Sequence, residues 1–488
     1  VPSPARPGGV WGGRHGPPDG PGVGLGLVGC GHFGAAILDA ARELPGLEPV
    51  AVADRDPGRA AALAATHRLD AVTPERLLAD DRVEVVAVAT PPAGHARLVL
   101  DALAAGRHVF CEKPLATRLE DATAVLRATT RPGAPRLTVD YVLRRNPLYA
   151  LLDKLQRELL GPPRRFAFEN LASDEHLGPD HWFWDRDVSG GILVEHGVHF
   201  FDACAWLLGS QPELVQAVEA SGPGGRVDTV VATARHPGGA TASFAHTFAR
   251  PARAELQWTT LDWGSARATL AGWIPVELQL DAWAGGQALG LLQRLAADSA
   301  ATLAIGGYRP SGAERLRVEL LELARQPGGD HHLRLWATLG GVAAKARVHR
   351  ESVRAGLADL LTAIADGGQP LVSPADGWHS LAEIIRAFCA DALSSAVNLN
   401  VDLDVMLAVL AQALLAALRA RLPGYAAVTP DTLQRRFLET PGTIINHGDT
   451  ITVRLERRAY TPVLRKASLP AQTTVPWWDN RTLRYEFA

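Results

Sequence analysis

The chain has 488 residues, too many for a single hydrophobic core, so two or three domains are expected. With 47% apolar and 21% charged residues it is not an intrinsically disordered chain, and a net charge of −3 gives no whole-chain attraction to nucleic acid or anionic membrane. Its four cysteines (Cys30, Cys111, Cys204, Cys389) form no C-x-x-C pair, which argues against a disulfide framework or zinc site and for a reducing cytoplasm, and no run reaches the ~18 to 20 apolar residues of a membrane span.

Residues 1–22 are mostly Pro and Gly without an apolar stretch, and read as a flexible leader rather than a secretory signal. From residue 23 strands and helices alternate. "VGLGLVG" is a buried strand, "CGHFGAAILDAARELPG" a helix stopped at Pro45-Gly46, and "LEPVAVADRD" a strand ending in acids. "PGRAAALAATHRL", "VEVVAVATPP", "AGHARLVLDALAAG" and "RHVFCEKP" follow as helix, strand, helix and fourth strand. Strands this uniformly apolar predict a doubly wound parallel sheet over 23–145. From 146 to 394 the runs "PRRFAFENLAS", "RVDTVVATARH", "GATASFAHTFA", "RAELQWTTLD" and "VELQLDAW" alternate in part, predicting an open, largely antiparallel sheet, with helices at "ESVRAGLADLLTAIADGG" and "SPADGWHSLAEIIRAFCADAL". The fold class is therefore α/β, with an appended α+β segment at 395–488. In that segment an apolar helix is expected over 403–418 and a strand at "TITVRLERRAY". The charge balance also shifts there, with 11 Lys and Arg against 8 Asp and Glu over 401–488.

"GLVGCGHFG" carries Gly29-x-Gly31-x-x-Gly34 between the first strand and its helix. The first glycine permits the turn, the second admits a pyrophosphate to the backbone, and the third lets helix and strand pack. The helix N-terminus offers its N–H groups to the phosphates. Asp54, at the end of the next strand, is placed to accept from a ribose 2′-hydroxyl, which favours NAD. Arg55 beside it pulls toward NADP. His32 and Phe33 in the loop, and Thr90, Pro91, His95 and Glu112 after later strands, are the further candidates for cofactor contact. Lys113 follows the fourth strand, where the carboxyl ends of a parallel sheet form the ligand crevice. A Lys-Pro loop is by itself an ordinary solvated charge.

The glycine loop, "ATPPAGHARLVLDALAAGRHVFCEKPLA", "YVLRRNPLY", "GGILVEHGVHFFD" and "SPADGWHSLAEII" occur in an order that resembles the Gfo/Idh/MocA family of nicotinamide-dependent sugar and polyol oxidoreductases, over roughly residues 23–390. The resemblance implies a Rossmann domain followed by an α/β domain whose open sheet backs the substrate pocket and joins subunits in a homo-oligomer. It implies that Lys113 orients the substrate hydroxyl. It also implies an acid and a histidine four residues apart, here Glu195 and His199, at the reaction centre. The family more often has Asp where Glu195 stands.

The residues themselves agree with those roles. A helix starting at Ser189-Gly190-Gly191 puts Glu195, His199 and Asp202 on one stripe. His199 is the predicted general base, Lys113 the group that steadies the developing alkoxide, and Glu195 the partner of charged His199 or of a sugar hydroxyl. His196 is a candidate substrate contact. Arg144 and Asn146 either bind sugar hydroxyls or join the domains. HExxH spacing is absent, so no metal is expected. Residues 397 onward have no counterpart in that family, and "LQRRFLETPG" and "TVPWWDNRTLRYEFA" resemble the C-terminal end of bacterial transposases. Asp402, Asp404 and Glu439 are not assigned catalytic roles. The leading expectation is an NAD(P)-dependent dehydrogenase of a sugar or polyol. The alternatives are a non-catalytic nucleotide-binding regulator of the same fold and a DNA-acting protein working through its tail.

Overall fold

A computed structural model describes residues 22–222, 225–297, 316–325, 330–340 and 344–389, and within the C-terminal stretch 422, 442–457, 459–466, 472–475 and 481–487. The leader expected at 1–22 and the apolar helix expected at 403–418 lie outside the described residues, save Gly22.

The first sheet is built from β1 (Val23–Val28), β2 (Leu47–Ala53), β3 (Asp70–Ala71), β4 (Val85–Val88), β5 (His108–Cys111) and β6 (Leu137–Val139), in the order β3-β2-β1-β4-β5-β6 with every pairing parallel. All four residues of β4 are buried, as helices on both faces require. Helices α1 (His32–Arg42), α2 (Pro57–His67), α3 (Pro74–Ala79), α4 (His95–Ala104) and α5 (Leu119–Thr129) connect the strands. The Asp56 side chain caps α2 by accepting from the N–H groups of Gly58 and Arg59. The two-residue β3 has too short an apolar run to register as a strand in the sequence, so the expected fourth strand is the fifth.

After α6 (Pro147–Leu155) comes β7 (Arg165–Leu171), then α7 (Arg186–Ser189), a π turn at Leu193–Gly197 and α8 (Val198–Leu208). Strands β8 (Leu214–Ser221), β9 (Val227–Arg235), β10 (Thr241–Thr247), β11 (Leu256–Asp262), β12 (Ala266–Ala271) and β13 (Glu277–Ala284) follow. The helix α9 (Gly286–Ala297), β14 (Leu316–Arg325) and β15 (His331–Leu339) complete the set. The nine strands run β14-β15-β13-β12-β11-β7-β10-β9-β8, antiparallel except where β7 meets β10. Alternating burial along β9 and β15 leaves one face for the core. On that face Phe200 stacks on Phe168 and Phe201 on Phe244, which seats α8 on the sheet.

Helices α10 (Lys345–Ala365) and α11 (Pro374–Cys389) then return to the first sheet. Thr138 Oγ1 donates to the Val372 carbonyl at 2.9 Å, and Trp378 Nε1 donates to Thr123 Oγ1 at 2.9 Å. A Cβ on Gly356 would lie 3.1 Å from the Phe110 ring, and Gly377 packs on Leu115 and Val139. The half built on the first sheet is therefore completed by residues far beyond 145.

Residues 390–488 form a separate unit. Its described elements are a four-stranded sheet of β16 (Gly442–His447), β17 (Thr450–Leu455), β18 (Gln472–Val475) and β19 (Arg481–Phe487), in the order β16-β17-β19-β18, and the short helix α12 (Thr461–Lys466).

Candidate active site

The three loop glycines differ in what they meet. Gly29 has φ +108°, and a Cβ there would sit 2.4 Å from the Ala89 carbonyl oxygen. A Cβ on Gly34 would lie 1.9 Å from the Gly29 oxygen, so this glycine allows helix to touch strand. Gly31 meets no protein atom within 4 Å. It is also the N-cap of α1 and supplies no side-chain cap, leaving first-turn N–H groups open. A Cβ there would stand in open space, where the glycine spacing predicts a pyrophosphate. We expect Gly31→Ala to leave the melting temperature nearly unchanged while weakening NAD binding ~10-fold or more, about 1.4 kcal/mol. Gly34→Ala should destabilise by about 1–3 kcal/mol through the forced clash. Thermal melts and nicotinamide fluorescence titration separate the two effects.

Asp54 sits at the end of β2, one carboxylate oxygen accepting from Cys30 N–H at 2.7 Å and the other from Asp56 N–H at 2.8 Å. These bonds fix the acid against the glycine loop. Arg55 is exposed beside it, as are His32 and Phe33 at the mouth of the loop. Thr90 and Pro91 lie beyond β4. His95 is buried, with Nδ1 2.7 Å from the Pro114 carbonyl and Nε2 2.6 Å from that of Thr90. It therefore ties the loop after β4 to the loop after β5. Glu112, expected to contact the cofactor, is buried beside Asp140. Burial pushes its carboxyl up to about 7 against the pull of Lys113, and burial together with Glu112 raises Asp140 well above the carboxylate range.

Lys113, at the carboxyl end of β5, donates from Nζ to Glu195 Oε1 at 2.7 Å and to the Glu195 carbonyl at 2.8 Å. Gly190 and Gly191 adopt φ of +81° and +91°, and the helical run starts after them in the π turn that carries Glu195. The glutamate expected to support His199 grips Lys113 instead. Its extra methylene gives one residue both a carboxylate and a backbone carbonyl on the same ammonium.

His199, on α8, is 4% exposed, and its Nδ1 is buried with no hydrogen-bond partner. Burial first, then Lys113, His196 and His349, hold its pKa well below the ordinary value, so the imidazole is neutral. Trp273 lies 6.2 Å from both His199 and His196, ring centre to ring centre, and 5.8 Å from His349. His196 faces this wall and His246; burial and the lysines 113 and 345 lower it to about 3. The sequence singled out neither Lys345 nor His349, which precede the apolar pattern of α10.

Arg144 and Asn146, expected either to bind sugar hydroxyls or to join the domains, are both bonded to distant parts of the chain. Arg144 makes two bonds to Asp202, at 2.6 and 2.8 Å, and one to Asp376 at 2.9 Å. Asn146 caps α6 by accepting from Leu148 N–H and donates to the Pro275 carbonyl. Asp202 therefore serves Arg144 and not the His199 stripe.

The neutral histidines have a stability consequence. Burial above all lowers His196 to about 3, His349 to about 4, and His199 and His246 well below their usual value. Folded values below the unfolded ~6.5 make this stability complete above that pH and progressively lost as pH falls toward the folded values. Stability should fall between pH 6.5 and 5, by up to ~1.4 kcal/mol per histidine per pH unit, and the melting temperature with it. His246, with both ring nitrogens buried and unpaired, is the cleanest probe: His246→Leu should flatten the acid slope of a pH series of melts.

Comparison with known proteins matches these parts in order. The profile of an "oxidoreductase family, NAD-binding Rossmann fold" matches residues 23–141, and that of a "GFO/IDH/MocA C-terminal domain" matches 150–262. An uncharacterized oxidoreductase of Rhizobium meliloti is 30% identical over 227 residues, 44% of this chain and 67% of its own length. The inositol 2-dehydrogenase of Acidothermus cellulolyticus is 33% identical over 203 residues, 40% of this chain and 56% of its own. The chain thus spans between 56% and 67% of these two relatives. Among solved structures, an oxidoreductase domain protein from Kribbella flavida aligns with TM-score 0.58 and 25% identity, covering 75% of this chain and 97% of that one. Levoglucosan dehydrogenase, solved with NADH and L-sorbose, shares the fold at TM-score 0.58 and 21% identity, over 75% and 96%.

Proposed function

The chain belongs to the GFO/IDH/MocA oxidoreductase family, and from that premise we propose that it is an NAD-dependent dehydrogenase of a sugar, polyol or related hydroxyl compound. The observation that carries the proposal is the meeting of Lys113, held by Glu195, with a buried, neutral and unpartnered His199 at the carboxyl end of the nucleotide-binding sheet.

The roles follow from donor arithmetic. An ammonium has three protons; two of Lys113's go to Glu195, and the third is left for the substrate oxygen. That contact strengthens as the oxygen gains charge, which is where stabilisation accelerates a reaction. His199, neutral in the resting protein, takes the hydroxyl proton. Bound nicotinamide supplies the hydride acceptor. The fixed carboxylate of Asp54 supports NAD over NADP, since a 2′-phosphate would face it. Relatives named inositol 2-dehydrogenase support a polyol or sugar as substrate.

Exposed Leu214, Val218, Val231, Trp283 and Trp336 on the nine-stranded sheet support a homo-oligomer through that sheet. No helix among the described residues is long and apolar enough to cross a membrane, and we place the protein in the cytoplasm. The segment 395–488, whose sequence resembles transposase ends, takes no part in this reading.

A panel of sugars and polyols with NAD and with NADP, followed by reduced-cofactor absorbance, tests the function. Turnover with NAD on at least one hydroxyl compound is expected. Absence of both turnover and nicotinamide binding would sink the dehydrogenase reading.

A further inference from the structure

The start of α10 carries a cation, beside Trp273, that the proposed chemistry does not use. Lys345 opens α10, and its Nζ stands 5.4 Å over the ring of Trp273. The same indole lies 6.2 Å from His199 and 5.8 Å from His349. Lys345 is partly buried yet makes no ion pair among the described residues. The acid acting on it, Glu255, spends its Oε1 on the Ser173 N–H. The Ala344 cap supplies no side-chain acceptor, so the N-terminus of α10 adds its partial positive charge at the same place. On the facing side, the Nδ1 atoms of His196 and His199 are buried and without partners. The other cations near the site are spent: Lys113 on Glu195, and Arg144 on Asp202 and Asp376.

We propose that Lys345, held on the Trp273 face, binds an anionic group of the substrate, so that the enzyme acts on a polyhydroxylated compound bearing a carboxylate or phosphate. This rests on the dehydrogenase reading and narrows its substrate class. The indole face contributes ~0.5–2 kcal/mol to holding the ammonium but leaves its protons without acceptors. A neutral polyol supplies only hydroxyls, which leave the charge uncompensated. A carboxylate or phosphate accepts a bond ionised on both sides and also compensates the buried charge. The anion would sit against Lys345 while the reacting hydroxyl reaches Lys113 and His199, so the two lysines set both which compound binds and which hydroxyl is oxidised.

The test compares glucose, glucuronate and glucose 6-phosphate as substrates with NAD, and separately as ligands by tryptophan fluorescence, in the full chain and in Lys345→Gln. The expected result is an anionic member preferred over glucose at least 10-fold in kcat/KM. Lys345→Gln should cost that member 10- to 100-fold more than it costs glucose, mainly through KM. The glucuronate and glucose 6-phosphate arms tell carboxylate from phosphate. Equal losses on all three sugars, or a loss confined to the KM for NAD, would overturn the proposal. If glucose turns over without any anionic preference, the dehydrogenase reading stands and the anion site fails. If an anion binds in a Lys345-dependent way without turnover, the anion site stands and the dehydrogenase reading fails.

Discussion

His199→Ala is expected to lower kcat for the oxidised hydroxyl ~10²- to 10⁴-fold, the usual contribution of a positioned proton acceptor. The substitution should not unfold the protein through lost polar contacts at Nδ1, because that atom is already buried and unpaired. Stopped turnover in a stably folded variant is thus the signature. The pH profile provides a second reading. The base must be neutral to accept a proton, and burial together with Lys113 keeps His199 neutral well below the ordinary histidine range. Wild-type kcat/KM should therefore hold level through pH 6.5 and fall only at lower pH, as the ring takes up its proton. A variant with unchanged kcat, or a wild-type acid limb centred near pH 6.5, would move the proton transfer to another group. His349, also neutral at a pKa of about 4 and on the same indole, is the first alternative.

Arg144→Leu has an effect of similar size on stability, about 3–5 kcal/mol, the cost of stranding a buried charge. Asp202 is 1% exposed and receives two bonds from the guanidinium, with Asp376 receiving a third. The residues come from the turn after β6, from α8 and from α11, so one arginine clasps three segments. Removing Asp202 as well should restore part of the loss, because the stranded charge goes with it. Urea titrations of the single and double variants give the coupling. Unchanged stability with a raised KM for substrate would instead return Arg144 to the pocket.

The nucleotide-binding half was legible because its signals are local. Glycine spacing, uniformly apolar strands and an acid at the end of β2 each report on a few neighbouring residues. Lys113, Glu195 and His199 were legible as residue types in motifs, and their pairing was not. Four-residue spacing on a helix suggested that Glu195 serves His199, whereas its partner lies 82 positions earlier in the chain. Arg144 was ambiguous for the same reason, with partners 58 and 232 residues away. Trp273, Lys345 and His349 belong to no motif. They become a site only when the second sheet and α10 are folded against each other, and periodicity is blind to that.

The return of residues 345–389 to the first sheet has a consequence in time. Phe110, Thr138 and Val139 have their covering helices encoded more than 200 positions later. During synthesis the nucleotide-binding half therefore leaves the ribosome with one flank bare and cannot close its core until α11 has emerged. Its final assembly waits on contacts of high sequence separation, which are slow to form. A nascent chain stalled before residue 345 should accordingly stay protease-sensitive in this half, however complete its glycine loop.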